Sequence, residues 1–447
     1  MKDLIDICNK AIRFSRKYQI DSCEVFSSSS YIFEIGLKKN ELKILRNKID
    51  KGIGIRVAIN KSVGFSYTSD LSKIEDTVKS AYNIARVSPP DPDFKSFNDK
   101  GADNRIGLVN DEDIKNLNVE KTLDIITQVR ELNLDKRIIS LNANLTVEYI
   151  QVAIANTFGV ENSDELTTSG IIVEASSREG DNFSGSFDFM YTRTLKEINA
   201  VELAKEVCKR AIYNLNKSKV SSMNTTVILD PICVSSVVGE SIAAGLNAEN
   251  VQKKRSFLSE DIGSQVFSEK LNIIDDGTIA DGIGSLNFDA EGYPSRRNVL
   301  IDKGKIISLM HNSYTAKKEN KESTGNAIRG STFWDYSSLP SISPRNLIVE
   351  KGNKKIEDMI SDLKKGILIR YTGDSPNIVT GDFTGIINEG YYVENGEIKF
   401  SIVEATFSGK IKSMLKNIVE LSSDLKNVGN MRLPYIMIED VSIGGGI

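Results

Sequence analysis

From residue 270 to 447 the chain breaks into short apolar runs separated by glycine turns, and this texture restricts that half to a core built from sheets. The runs fall at 299–301, 306–310, 347–349, 367–371, 386–387, 389–394, 400–405 and 435–438. Between them lie D-K-G-K at 302–305 and N-G-E at 395–397, whose glycines accept the backbone angles of tight hairpins. The pattern predicts a mainly antiparallel sheet or barrel-like core, with one further helix at about 410–424.

The first 215 residues follow a different grammar. MKDLIDICNKAIRFSRKYQI reads as an amphipathic helix, and residues 23–29 and 31–38 read as strands. A hairpin follows over 54–67, turning at Asn60-Lys61-Ser62. Ser72 and Glu75 form an S-x-x-E capping box for a helix that buries Ile74, Val78, Ala81 and Ala85. Residues 88–104 contain Pro89, Pro90 and Pro92 and almost no apolar pattern, which predicts a linker or surface excursion at a subdomain boundary. Beyond it, a helix at 118–132, strands at 145–156, 168–176 and 182–192 and a helix at 197–215 repeat the unit, either continuing the first sheet or forming their own. After a polar junction at 216–223 comes the strand TTVILD. Pro231 is then placed to start a helix over 232–248 that buries Val234, Val238, Ile242 and Leu246. The expected fold class is α+β. An N-terminal helix-plus-sheet domain covers 1–215, with a subdivision allowed at 88–104, and a C-terminal β-rich domain with a few helices covers 216–447.

Composition excludes several functions. The 57 Lys and Arg are outnumbered by 61 Asp and Glu and are dispersed, so no basic stripe for nucleic acid exists. No run approaches the roughly 18 apolar residues of a spanning helix, and the expectation is a cytoplasmic protein with no membrane role. One histidine, His311, cannot build a His-pair metal site, and nothing near it supplies a G-x-S-x-G nucleophile elbow. It follows an apolar run and reads as a hydrogen-bonded structural residue. Cys8, Cys23, Cys208 and Cys233 are too few and scattered for a disulfide framework and read as small core residues.

The densest segment is 275–330, with glycine at 277, 282, 284, 292, 304, 325 and 330. Such a backbone turns repeatedly and approaches something closely. Its acids, Asp275, Asp276, Asp281, Asp289 and Glu291, lack the spacing of a calcium loop and read as turn-formers that bond their own backbone. Gly52-x-Gly54 and Gly282-x-Gly284 lack the rest of a nucleotide motif.

DDGT, FDAEGYPSRR, DKGKI, YTAKK and STGNAIR occur here in the order in which they occur in the TldD/PmbA metallopeptidase family, also named for modulators of DNA gyrase. The chain resembles that family over nearly its whole length, and within it the PmbA (TldE) branch. EVFSSSS, KGIGIRVAINKSVGFSYTSDLS, GYYVENGEIKF and the SGKIKSMLKNIVELSSD segment, taken as a helix, are similar too. The resemblance implies a peptidase whose TldD-type subunit holds zinc with H-E-x-x-x-H on a helix and a later cysteine, the metal lowering the pKa of a bound water. This sequence departs from that pattern. Gly239 and Ala244 stand where the histidines would be, Glu240 alone is retained as a vestige, and no cysteine follows Cys233. The expected cysteine belongs in NVGNMRLPYIMIEDVSIGG.

What the resemblance then implies is a non-catalytic subunit without catalytic or metal-binding residues or a cofactor of its own. It would pair with a zinc-bearing TldD-like subunit to hold unfolded or extended polypeptide for cleavage. Asn312, Tyr314, Thr315, Ser323, Thr324 and Arg329 are the residues expected to contact substrate. Two other readings remain open: a homodimeric peptide-binding protein without a catalytic partner, and a self-sufficient hydrolase using Ser361–Lys364 or Ser423–Lys426, both expected in amphipathic helices.

Overall fold

The computed structural model describes residues 2–102, 105–331 and 333–446. Two sheets organise it. The first is one continuous antiparallel sheet of β1 (Ser22–Lys38), β2 (Glu41–Ile59), β3 (Ser62–Thr68), β4 (Ile138–Asn156), β5 (Glu161–Glu179) and β6 (Asn182–Thr192), in the order β3-β2-β1-β4-β5-β6. The second helix-and-strand unit therefore continues the first, with β4 pairing directly against β1.

The strands are longer than the apolar pattern suggests, for identifiable reasons. Four serines at 27–30 look like a break, yet Ser27 Oγ donates to Gly52 O at 2.9 Å and the strand runs through them. The charged stretch 41–52 is an outer edge of β2, because β3 pairs only with residues 53–59. The described side chains from 41 to 49 face solvent, so polarity does not argue against a strand there. Lys39 and Asn40, both at positive φ, form the two-residue hairpin turn before it. Asn60 and Lys61 turn the expected second hairpin in the same way.

Helices Lys2–Ser15, Ile74–Val87, Val119–Arg130 and Ala200–Tyr213 cover one face of this sheet, burying Val25, Val57, Val78 and Ala81 in one cluster and Leu145, Ile126, Val173 and Val207 in another. Asn118 and Asn199 cap two of them by accepting backbone N–H groups. The Ser72–Glu75 capping box does not form. Asp70 accepts the Ser72 N–H at 3.0 Å and opens a short 3₁₀ turn, while Glu75 pairs with Lys17. The Asp70 carboxylate, two residues earlier, captures the first free N–H group.

Among the described residues the second sheet gathers thirteen strands from 217 to 444, mainly antiparallel, with parallel pairings such as Met223–Leu229 against Lys365–Tyr371. The segment begun by Pro231 is its central helix: Asp230 caps it, and its path runs through Pro231–Val234, a π turn at Ser235–Gly239 and Glu240–Gly245. Val234, Val238 and Ile242 pack there against Ile367, Ile369, Ile436 and Ile438.

The helix expected at 410–424 is only Ile411–Lys416, and 306–310 contributes a strand only at Lys305–Ile306. Ile418–Val428 is instead a strand, folded back on Met431–Gly444 through a turn with Gly429 at positive φ. Apolar residues at Ile418, Leu421, Leu425 and Val428 suit a helical stripe, but the hairpin partner decides the outcome. Neither Ser–Lys pair lies within a helix. Ser423–Lys426 is in this strand, and Lys364 lies beyond the end of Ile356–Asp362.

The face of the first sheet away from its helices is covered by the glycine-rich segment. Phe26, Ile150, Val152 and Ile154 pack there on Leu286, Phe288, Ala327 and Trp334. The proline segment joins this seam rather than skirting the surface: Phe94, Phe97 and Asn98 are buried, and Asn98 Nδ2 donates to Glu291 O at 3.0 Å. Residues 103 and 104 of the expected linker lie outside the described residues. Among those described, no helix is long and apolar enough to cross a membrane.

Candidate functional site

Two places carry the chemistry anticipated from sequence: the seam at 275–330 and the helix at 231–245. At the seam, strand register sets Glu24 opposite Arg56 on the face shared with Phe26. Glu24 Oε1 accepts from Arg56 Nε at 2.9 Å and from Arg329 Nη2 at 2.7 Å. Arg56 Nη2 reaches Glu291 Oε1 at 3.0 Å, and Glu291 Oε2 accepts the Ser313 N–H at 2.7 Å. Arg329 also donates to Ala290 O and Ser338 O, with its guanidinium 4.7 Å from the Phe26 ring centre. Burial pushes the Glu24 carboxyl up while the Arg56 and Arg329 charges pull it back. Burial brings Arg329 down to about 10, which leaves it charged at neutral pH. The network is a charged latch between the first sheet and the 275–330 segment.

The turn-former reading holds for only part of the acids of 275–330, since Glu291 belongs to the latch and Asp281 pairs with Arg432. Asp276 and Asp289 bond nearby backbone as turn-formers, Asp289 Oδ1 accepting from the N–H groups of Glu291 and Tyr293. Asp275 instead anchors a distant segment, accepting from Arg345 N, Asn346 N and Asn326 Nδ2. The close approach implied by the glycines is made by the chain itself: a Cβ on Gly284 would lie 1.9 Å from Arg345 O.

The six residues expected to touch substrate stand together at this seam, with their polar groups engaged internally. Asn312 Oδ1 caps helix Ser313–Lys318 by accepting the Thr315 N–H at 2.9 Å, and Thr315 Oγ1 bonds back to Asn312. Ser323 and Thr324 hydroxyls bind His311 O. The Tyr314 hydroxyl donates to Asp91 Oδ2 at 2.8 Å, in the proline segment. Arg329 is the latch cation. Of the six, Ser323 borders a small cavity of about 130 Å³, shared with Tyr293, Lys317 and Glu322.

His311 is buried and hydrogen-bonded, its Nδ1 3.2 Å from Thr315 Oγ1. Burial lowers its pKa from 6.5 to about 4. Between those values the unfolded chain binds the extra proton, so this group's contribution to stability falls as pH drops, by roughly 3 kcal/mol in all. Asp275, pushed up to about 6 by burial, acts in the opposite sense, since stability from it is lost as pH rises. A His311→Asn comparison separates the two. Urea unfolding should show the wild-type advantage over the variant falling by roughly 3 kcal/mol from pH 7 to pH 4, and a constant difference would refute a neutral buried imidazole.

At the helix stand Gly239 and Ala244, the positions where the resemblance implies zinc ligands. Gly239 is buried, and a Cβ there would meet Met431 Sδ at 2.5 Å. Met431 begins the C-terminal strand, so the segment expected to bring a third ligand does arrive, carrying a thioether. Ala244 offers a methyl group. Glu240 is exposed and its Oε2 accepts the Ser375 hydroxyl at 2.7 Å. Among the described residues no group of three or more His, Cys, Asp or Glu is disposed to hold a metal ion, and this donor set does not fit zinc. All four cysteines are buried and free, and burial raises the thiol pKa of each.

Sequence reasoning missed Glu24, Arg56 and Met431. The signal for the first two was a charged residue inside each of two otherwise apolar strand stretches. Met431 carried none, since its role follows from the hairpin register.

The α+β architecture, joined across a buried ion network, matches that of a metallopeptidase family. Models of the PmbA/TldA metallopeptidase match it in three parts: domain 1 at residues 23–85, the central domain at 112–215 and the C-terminal domain at 222–445. The chain belongs to this family. It is 28% identical to an uncharacterised protein of Methanocaldococcus jannaschii, over 96% of this chain and 98% of that one. It is 28% identical to a TldD metalloprotease homolog of Buchnera aphidicola (89% and 87% covered) and 24% identical to a PmbA metalloprotease homolog of Haemophilus influenzae (95% and 92% covered). Among solved structures, TldE from Thermococcus kodakarensis superposes with a TM-score of 0.86 at 23% identity, covering 98% of this chain and all of that one. A Thermotoga maritima protein described as a candidate modulator of DNA gyrase gives 0.88 at 22%, covering 98% and 99%.

Proposed function

We propose that this chain is the non-catalytic subunit of a TldD/TldE-type zinc metallopeptidase complex and holds unfolded or extended polypeptide for a TldD-like partner that carries the metal. The observation that carries this reading is the helix at 239–244. Gly239, Ala244 and Met431 stand where the resemblance implies ligands while the surrounding fold is intact, which supports a subunit without a metal site of its own.

The edge of β2 supports the holding role. Residues 41–52 present unpaired backbone groups, and Leu45 and Ile49 stand exposed along it. An extended peptide can add there as a further strand with little sequence preference. Lys48 and Asp50 of the same stretch line a groove of about 300 Å³ that also includes Trp334, the single tryptophan. Unfolded polypeptide should therefore change the Trp334 fluorescence, and proline at Leu45 should weaken that binding about tenfold by obstructing the edge.

The complex itself is tested by mixing the chain with a TldD-like subunit. Co-purification and cleavage of an unfolded polypeptide only by the pair, abolished by mutating the partner's histidines, is the expected result. Full peptide binding with no association would instead favour the homodimeric binding protein.

A further inference from the structure

We propose that a second cavity, between helix Ala200–Tyr213, helix Ile356–Asp362 and the second sheet, binds a small zwitterion: an α-amino acid or dipeptide with a bulky apolar side chain. This inference goes beyond the peptidase reading and needs no partner subunit. The cavity holds about 480 Å³, within the range of small-molecule sites and far beyond the needs of one bridging water.

Its walls match such a molecule group by group. Ile356, Ile360, Leu368 and Ile398 form an apolar side. Tyr213 and Tyr391 pack edge to face there, with centroids 5.7 Å apart, and offer aromatic surface. On the polar side Arg370 is buried, with Nη1 bound to Glu389 Oε2 at 2.8 Å. Its Nη2 lies 3.1 Å from Asp188 Oδ2 in an ion pair but makes no hydrogen bond. That guanidinium is thus held by two carboxylates behind the wall, and a ligand carboxylate would meet Lys209 and Arg210 on the same lining.

The opposite charge is also provided. Asp230 is buried on the cavity lining, accepting the Ile232 N–H at 2.9 Å and the Tyr435 hydroxyl, and exposed Glu206 and Glu357 add negative charge. A plain anion would face these carboxylates, and a plain cation would face Arg370, Arg210 and Lys209. A ligand carrying both charges leaves neither set opposed and, unlike a neutral one, gives each set a partner. Because one wall comes from a helix of the first sheet and the others from the second, occupancy would also tie the two sheets together at a point remote from the Glu24–Arg329 latch.

Isothermal titration of the full chain tests this with L-phenylalanine and leucyl-phenylalanine against N-acetylphenylalanine, phenylalaninamide and N-acetylphenylalaninamide. The expected result is micromolar-to-millimolar binding of a zwitterion, weakened about tenfold or more by blocking either charge. Ile398→Trp, at a partly exposed wall position, should fill the cavity and abolish binding while leaving the urea midpoint unchanged, and Tyr213→Ala should weaken it independently. Absence of binding at millimolar ligand, equal affinity for the doubly blocked compound, or binding untouched by both substitutions would overturn the proposal.

Discussion

Arg329→Met should destabilise the protein by roughly 3–5 kcal/mol, seen as a large fall in the urea midpoint. The guanidinium is fully buried and joins Glu24, Ala290 O and Ser338 O. Methionine keeps much of the volume but strands the Glu24 carboxylate with Arg56 as its remaining close cation, and a buried charge deprived of a partner is costly. Tyr314→Phe is the control at the same seam. It deletes one half-buried hydrogen bond to Asp91 and should cost about 1 kcal/mol. A double-mutant cycle with Glu24→Gln should show strong coupling to Arg329. If Arg329→Met left stability intact and instead abolished peptide binding, the arginine would be a substrate contact and not a latch.

Gly284→Ala should be comparably severe, roughly 3 kcal/mol, at the upper end of the usual overpacking penalty. The added methyl would sit 1.9 Å from the Arg345 carbonyl oxygen, a backbone atom with no rotamer to retreat into. Arg345 and Asn346 are themselves held through their N–H groups by Asp275, so displacement would propagate to Asn326. Gly107→Ala is the contrasting case, because an added Cβ there meets nothing within 4 Å. Equal urea midpoints for the two variants would show that the packing at 284 is not as close as described.

These two residues also show where the sequence was readable. Helical periodicity located the covering helices, since each buries one stripe and the stripe survives in the pattern. The turn at Asn60-Lys61 was readable because asparagine tolerates positive φ. The full length of β2 was hidden because one end is buried on both faces and the other is exposed, and β1 is buried over most of its length, so neither alternates. The strand Ile418–Val428 was hidden because its apolar spacing serves a helix equally well. For the site, glycine density correctly indicated close approach, but whether the approaching body is ligand or backbone depends on long-range pairing. Glu24 meets Arg329 across 305 residues, and no local window contains that fact.

The absence of the family's histidines was legible residue by residue, and the structure adds why the position matters. Gly239 lies under Met431 in a well-packed helix, where a side chain at 239 would collide with the Met431 sulfur. A polypeptide-holding role asks for an intact fold and an accessible strand edge, and the chain has both.

The most direct test is to purify the chain alone, determine bound zinc by elemental analysis and incubate it with an unfolded polypeptide. The account predicts substoichiometric zinc and no cleavage. Stoichiometric zinc together with cleavage by the isolated chain would contradict it.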